Sequence, residues 1–192
     1  MDFTPRQIEI IEAATRLIGE KGIQNLTTKN LAGEVGFSEA ALYRHYKGKT
    51  EILESVLFYY REKLKEGLTS IIQSEVTGLD KIKAMIEFQF NHFTKFPAMI
   101  MIIFAETSFQ YDNVLSKAVA MILTQKRKMV GKIIQEGQKE GSIRKDIAYD
   151  QLTMVVMGSM RFTVLRWRLS NFDFDLVKEG KTLWNTFNLL IK

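Results

Sequence analysis

Apolar residues recur along this chain at three- and four-residue steps, and no segment alternates apolar and polar positions as a half-buried strand does. The pattern predicts an all-α protein of about nine helices. Ile8, Ile11, Ala14, Leu17 and Ile18 form the first stripe, and FTPRQI announces its start. There Thr4 can cap, Pro5 suits the first helical position, Gln7 completes a capping box and Phe3 can staple onto Ile8. Gly22 should end this helix in the left-handed conformation, with Ile23 folding back. A short second helix from Thr28 to Val35 fits between a Thr27 cap and Gly36, and a third follows Ser38 with Glu39 in its first turn. Leu53, Val56, Tyr60, Leu64, Leu68 and Ile71 mark a long fourth helix, broken at Thr77-Gly78. The fifth runs from Leu79 to Lys95 and must yield before Phe96-Pro97, because proline disfavours a helical residue before it. A very apolar sixth starts at Pro97. Asp112 or Asn113 can cap a seventh that ends at Gly141, Asp146 can cap an eighth reaching Leu169, and the last begins near Asp173. A small N-terminal unit over residues 1–50, extending into the fourth helix to about residue 60, is expected to precede a helical body over 51–192.

The stretch GFSEAALYRHYKGKTEIL carries the most specific chemistry. With Ser38 as N-cap, steps of about 100° per residue put Leu42 and Tyr46 on one side, toward Leu31 and Val35 of the preceding helix. Phe37 precedes the cap and can staple onto Leu42. Ala40, Ala41 and Arg44 lie opposite, flanked by Tyr43 and His45, with Lys49 beyond. Two short helices joined by a tight glycine turn have helix-turn-helix geometry, and this outer face fits a B-DNA major groove. Ala40 and Ala41 permit close approach, and Arg44 suits the bidentate contact to guanine. Tyr43, His45, Lys49, Thr27 and Thr28 sit where phosphates flank the groove. Lys29 and Glu39 complete the expected DNA-binding set.

The segment LTTKNLAGEVGFSEAALYRHYKGKTEIL resembles the DNA-binding domain of TetR family transcriptional regulators, in the order of its first helix, T-T opening, turn and L-Y-x-x-[FY]-x-x-K signature. The likeness is specific over residues 4–60 and architectural beyond. It implies a dimeric, all-helical, repressor-like protein whose C-terminal domain binds a small molecule that weakens DNA binding. It also implies backbone contacts for Tyr43, His45 and Lys49, with operator-dependent residues at Ala40, Ala41 and Arg44.

Composition changes this picture little. The net charge of +5 favours an anionic partner, but the first fifty residues are nearly balanced. Much of the excess lies in Lys126, Arg127, Lys128 and Lys132 and in Arg161, Arg166 and Arg168, at spacings that suit a solvated helix face. With no cysteine and only two histidines, far apart in sequence, neither a metal site, a cofactor loop nor a catalytic triad is expected. Charges break every apolar stretch before about 18 residues accumulate, and the start has no leader pattern, so no membrane span is expected and the regulator should be cytoplasmic.

In the body, Met85, Phe88, Gln89, Phe93, Phe104, Met121 and Met157 suit either core packing or the lining of an apolar pocket. The resemblance favours a hydrophobic or amphipathic effector there. Glu106, after the apolar run AMIMIIFA, fits a water-facing helix edge better than a cavity. Leu152, Val155 and Ser159 on the eighth helix, with Leu176, Gly180, Leu183, Trp184 and Phe187 on the last, form apolar faces. Burial within one chain and an isologous four-helix dimer interface both account for them, and the resemblance favours the homodimer. Two heads would then read a pseudo-palindromic operator in double-stranded DNA. A helical protein-interaction adaptor that no longer reads DNA is the alternative.

Overall fold

The computed structural model describes residues 3–105, 109 and 111–192. Among them are nine α-helices: α1 Pro5–Lys21, α2 Thr28–Val35, α3 Glu39–Tyr43, α4 Lys49–Gln73, α5 Gly78–Lys95, α6 Ala98–Ile103, α7 Asn113–Glu140, α8 Tyr149–Leu169 and α9 Leu176–Ile191. Grouped by contact, they form two units, Met1–Lys63 with Phe96–Met121 and Leu64–Lys95 with Ile122–Lys192. The described residues of 96–121, which the sequence pattern assigned to the body, thus pack with the N-terminal helices.

In the first unit, α1 starts on the expected capping box: the Gln7 amide donates to the Thr4 hydroxyl at 3.3 Å and the Thr4 amide to Gln7 Oε1 at 3.0 Å. Its buried surface is wider than one stripe. Ile10, Ala13 and Thr15 are enclosed along with Ile11, Ala14, Leu17 and Ile18, whereas Ile8 is only half-buried. The cause is a second neighbour, α6, which approaches so closely that a Cβ added at Gly19 would come within 2.8 Å of the Ala98 Cβ. Gly22 takes a positive φ of 79°, but its ψ of 160° is extended, so the chain turns into a short 3-10 segment, Ile23–Asn25, and not into a left-handed cap. That cap occurs at Gly36 (φ 73°, ψ 29°), where the Phe37 amide donates to the Ala32 carbonyl at 2.8 Å and closes a Schellman motif. Asp112 caps α7 by accepting from the amides of Val114 and Leu115, and it also accepts the Thr50 hydroxyl at 2.8 Å. The Leu115 amide and that hydroxyl hold its carboxyl below the usual range.

The second unit is built on close helix crossings. Gly180 of α9 faces Phe90 of α5, where an added Cβ would lie 2.6 Å from the ring, and Gly78 of α5 meets Gly137 of α7 backbone to backbone. Two caps differ from expectation. Asp146 does not cap α8: the helix starts at Tyr149, so the N-cap is Ala148, which offers no side-chain acceptor, and both Asp146 oxygens accept from the Arg144 guanidinium. The α9 cap is Asp175, accepting from the Lys178 amide at 2.9 Å, so this helix begins at Leu176, just past the expected start near Asp173.

Candidate nucleic-acid interface

The reading head is held by local chemistry. Thr27 caps α2 by accepting the Asn30 amide at 3.1 Å, and Ser38 caps α3 by accepting the Ala41 amide at 3.2 Å. The Gly36 turn between them aims α3 so that Leu42 (1% exposed) and Tyr46 (3%) are buried while Tyr43 stands 52% exposed. Tyr46 reaches the Gln7 carbonyl at 3.5 Å, and burial pushes its hydroxyl up to about 12, so it stays protonated and acts as a packing residue. Ala40, Arg44, Lys29 and Thr27 are exposed, and Ala41, Thr28 and His45 are half-buried.

Three side chains expected to face phosphate have protein partners. The Thr28 hydroxyl donates to Glu39 Oε2 at 2.8 Å, tying the first turns of α2 and α3 together and drawing the carboxylate aside. The Lys49 ammonium donates to the Ile23 carbonyl at 3.0 Å, and partial burial lowers its pKa. His45 stacks on Phe37 with ring centroids 6.5 Å apart, and the Arg6 guanidinium lies 4.9 Å from the same ring. No local spacing reveals the Arg6 contact, since it joins α1 to the turn before α3. Beside Lys49, a cleft of about 250 Å³ is lined by Ile23, Thr50, Leu53, Phe109 and Asp112.

The body candidates are spread over both units. Met85, Phe88, Gln89, Phe93 and Met157 belong to the second unit, whereas Phe104 and Met121 belong to the first. Met85, Gln89, Phe93 and Phe104 are buried, Phe88 and Met157 half-buried, and Met121 is 39% exposed. Glu106 lies outside the described residues. Of the cations read as a solvated face, Arg127, Lys128 and Lys132 do line an open cleft of about 360 Å³. Lys126 turns inward to Gln89.

The expected pairing faces divide as well. Leu152, Leu176, Gly180 and Phe187 are buried inside a single chain and are core. Val155 is exposed, and Ser159, Leu183 and Trp184 are half-buried. Val155, Gly158, Phe162 and Leu169 share one exposed face of α8, with Phe162 62% and Leu169 71% accessible. Phe162 and Leu169 were legible in the same periodicity that marks Val155.

A buried-face, open-face recognition helix behind a tight glycine turn is the arrangement of helix-turn-helix DNA-binding proteins. Residues 10–56 match the model of bacterial regulatory proteins of the tetR family, and residues 60–192 match that of the YsiA-like protein C-terminal region. The chain belongs to the TetR family of bacterial regulatory proteins and is a DNA-binding transcriptional regulator. It is similar to the nucleoid occlusion factor SlmA of Vibrio vulnificus, 24% identical over 192 residues, across 97% of this chain and 96% of that one. In fold it resembles the fatty acid degradation regulator FadR of Bacillus halodurans, with a TM-score of 0.87, 16% identity and coverage of 98% and 97%. FadR of Bacillus subtilis, solved in complex with stearoyl-CoA, aligns with a TM-score of 0.79, 21% identity and coverage of 93% and 95%. Among the described residues no helix is long and apolar enough to cross a membrane.

Proposed function

We propose that this chain is a homodimeric repressor that binds a pseudo-palindromic operator through α3 and is released by a long-chain amphipathic effector held in its helical body. The division of α3 and the turn that follows it into a buried side with Leu42 and Tyr46 and an open side with Ala40, Tyr43 and Arg44 carries the reading. Small residues around one arginine suit base readout, while Tyr43 and the flanking Thr27, Lys29, His45 and Lys49 suit backbone positioning. The effector class is taken from the stearoyl-CoA bound to the similarly folded Bacillus subtilis regulator.

Selection of operator sequences from random DNA, followed by anisotropy titrations at several salt concentrations, tests the first half. Arg44→Ala should relax discrimination at one base position by about 1–3 kcal/mol. Lys49→Ala should weaken all sequences alike and flatten the log–log salt slope by about 1. Uniform losses from both variants would sink the division. Stearoyl-CoA added to the operator complex should release the DNA.

The exposed α8 face supplies apolar surface for a two-fold partner. Phe162→Glu places a charge at its centre, and light scattering at micromolar concentration should find a monomer. A dimer that survives this change uses another face.

A further inference from the structure

A cleft of about 360 Å³ lies between α7 and α8 within the second unit, inside the range of roughly 300–1,000 Å³ that small-molecule pockets span. Arg127, Lys128 and Lys132 of α7 line it, and Asp150 of α8 is the one carboxylate among its lining residues. That carboxylate already accepts the Gln151 amide at 3.0 Å. Among the described residues Arg127 and Lys128 have no hydrogen-bond or ion-pair partner, whereas Lys132 pairs with Glu136 at 3.8 Å. A cation on a solvated helix face is stabilised by an acid three or four residues away. The residues at those distances from Arg127 and Lys128 are Leu123, Thr124, Gln125, Val130, Gly131 and Lys132. None is acidic, and Lys128 and Lys132 repel each other along the same face.

The wall between these cations gives a second observation. Gly131 is buried in the middle of α7, where glycine weakens a helix relative to alanine. Packing does not call for it. An added Cβ would lie 3.4 Å from Thr153 Oγ1 and 3.5 Å from the Tyr149 ring, both ordinary contacts. The missing side chain instead leaves room in the cleft beside the three cations. Tyr149, 43% exposed, supplies an aromatic surface there.

We infer that this cleft binds a small oligophosphate anion, held by Arg127, Lys128 and Lys132. A guanidinium takes phosphate oxygens in pairs, and an ammonium binds them as a point charge. Three cations against one carboxylate favour a multiply charged anion over a monocarboxylate. The oligophosphate comes free or as part of a nucleotide, whose base has the Tyr149 ring to stack on. The site stands independently of operator reading and of the effector proposed above.

The test titrates the full chain by calorimetry with inorganic diphosphate, ADP and hexaglutamate. Arg127→Gln and Lys128→Gln, both at exposed positions, should each weaken diphosphate about tenfold or more, the scale of one charged hydrogen bond. Gly131→Leu fills the cleft and should weaken it by a similar factor. Gly131→Ala should raise the melting temperature, because alanine strengthens the helix and its methyl group fits. ADP bound more tightly than diphosphate, with the difference lost in Tyr149→Ala, identifies a nucleotide, and equal affinities identify the free anion. No binding of diphosphate, or an affinity that survives Arg127→Gln and Lys128→Gln, overturns the site. Tighter binding of hexaglutamate than of diphosphate also overturns it and makes the cleft a docking face for an acidic peptide. A Gly131→Ala variant that melts lower shows that packing requires the glycine, and the argument for an open cleft falls.

Discussion

Gly78→Ala should destabilise the protein by about 3 kcal/mol, the upper end of overpacking costs, and lower its melting temperature by roughly 6–12 °C for a chain of this size. Gly78 opens α5, and an added Cβ would lie 2.5 Å from Gly137 Cα, 2.7 Å from Gly137 N and 2.8 Å from the Ile133 carbonyl oxygen. All three are backbone atoms of α7, so no side chain can rotate away. Gly137 cannot recede freely either, since its own open side is filled by Ile143, whose Cδ1 would be 2.6 Å from a Cβ there. Two hydrogen bonds would be stretched by any retreat: the Gly78 amide donates to the Glu140 carboxylate and the Leu79 amide to Ser142 Oγ at 3.3 Å. The Gly78 bond is also the main reason the Glu140 carboxyl is held below its usual range. A melting scan with no loss would mean that α5 and α7 do not cross there.

Lys126→Met should instead stabilise the protein at pH 7, but by only about 1 kcal/mol, because Lys126 is half-buried and the buried Gln89 oxygen loses its donor. The unfolded lysine titrates near 10.5, and the folded one near 8. Below pH 8 both states carry the proton, and the folded state bears the full cost of an enclosed charge. Between pH 8 and 10.5 the unfolded chain still binds the proton while the folded chain has released it, so wild-type stability rises with pH across that window. Lys126→Met lacks this rise. Denaturant titrations at several pH values should therefore show the variant's advantage shrinking from pH 8 upward. An advantage that is absent at pH 7, or constant across the window, would show that the ammonium is not enclosed.

The helix starts and stops were largely readable because they depend on neighbours a few residues away. Thr4 with Gln7, Thr27, Ser38 and Asp112 all cap where the local pattern puts them. The two tyrosines of the reading stretch separate as helical periodicity requires, Tyr46 inward and Tyr43 outward. Asp146 shows where such reading stops. It can cap on paper, but the helix starts beyond it at Tyr149 and the Arg144 guanidinium takes its oxygens, leaving α8 without a side-chain cap.

Amphipathic periodicity by itself determined that this chain is all helix, where most helices begin and end, and which side of α3 is open, because each depends on contacts within a turn or two. Partners distant in sequence settled the rest. Whether an apolar stripe meets its own chain or faces outward depends on which helix crosses it, so Leu152, Leu176 and Phe187 are core while Phe162 is not. Thr28 and Lys49 turn toward Glu39 and the Ile23 carbonyl because the fold brings those acceptors within reach. Lys126 is the clearest case: in a row of cations on one helix, the position of Gln89 on another turns its ammonium inward.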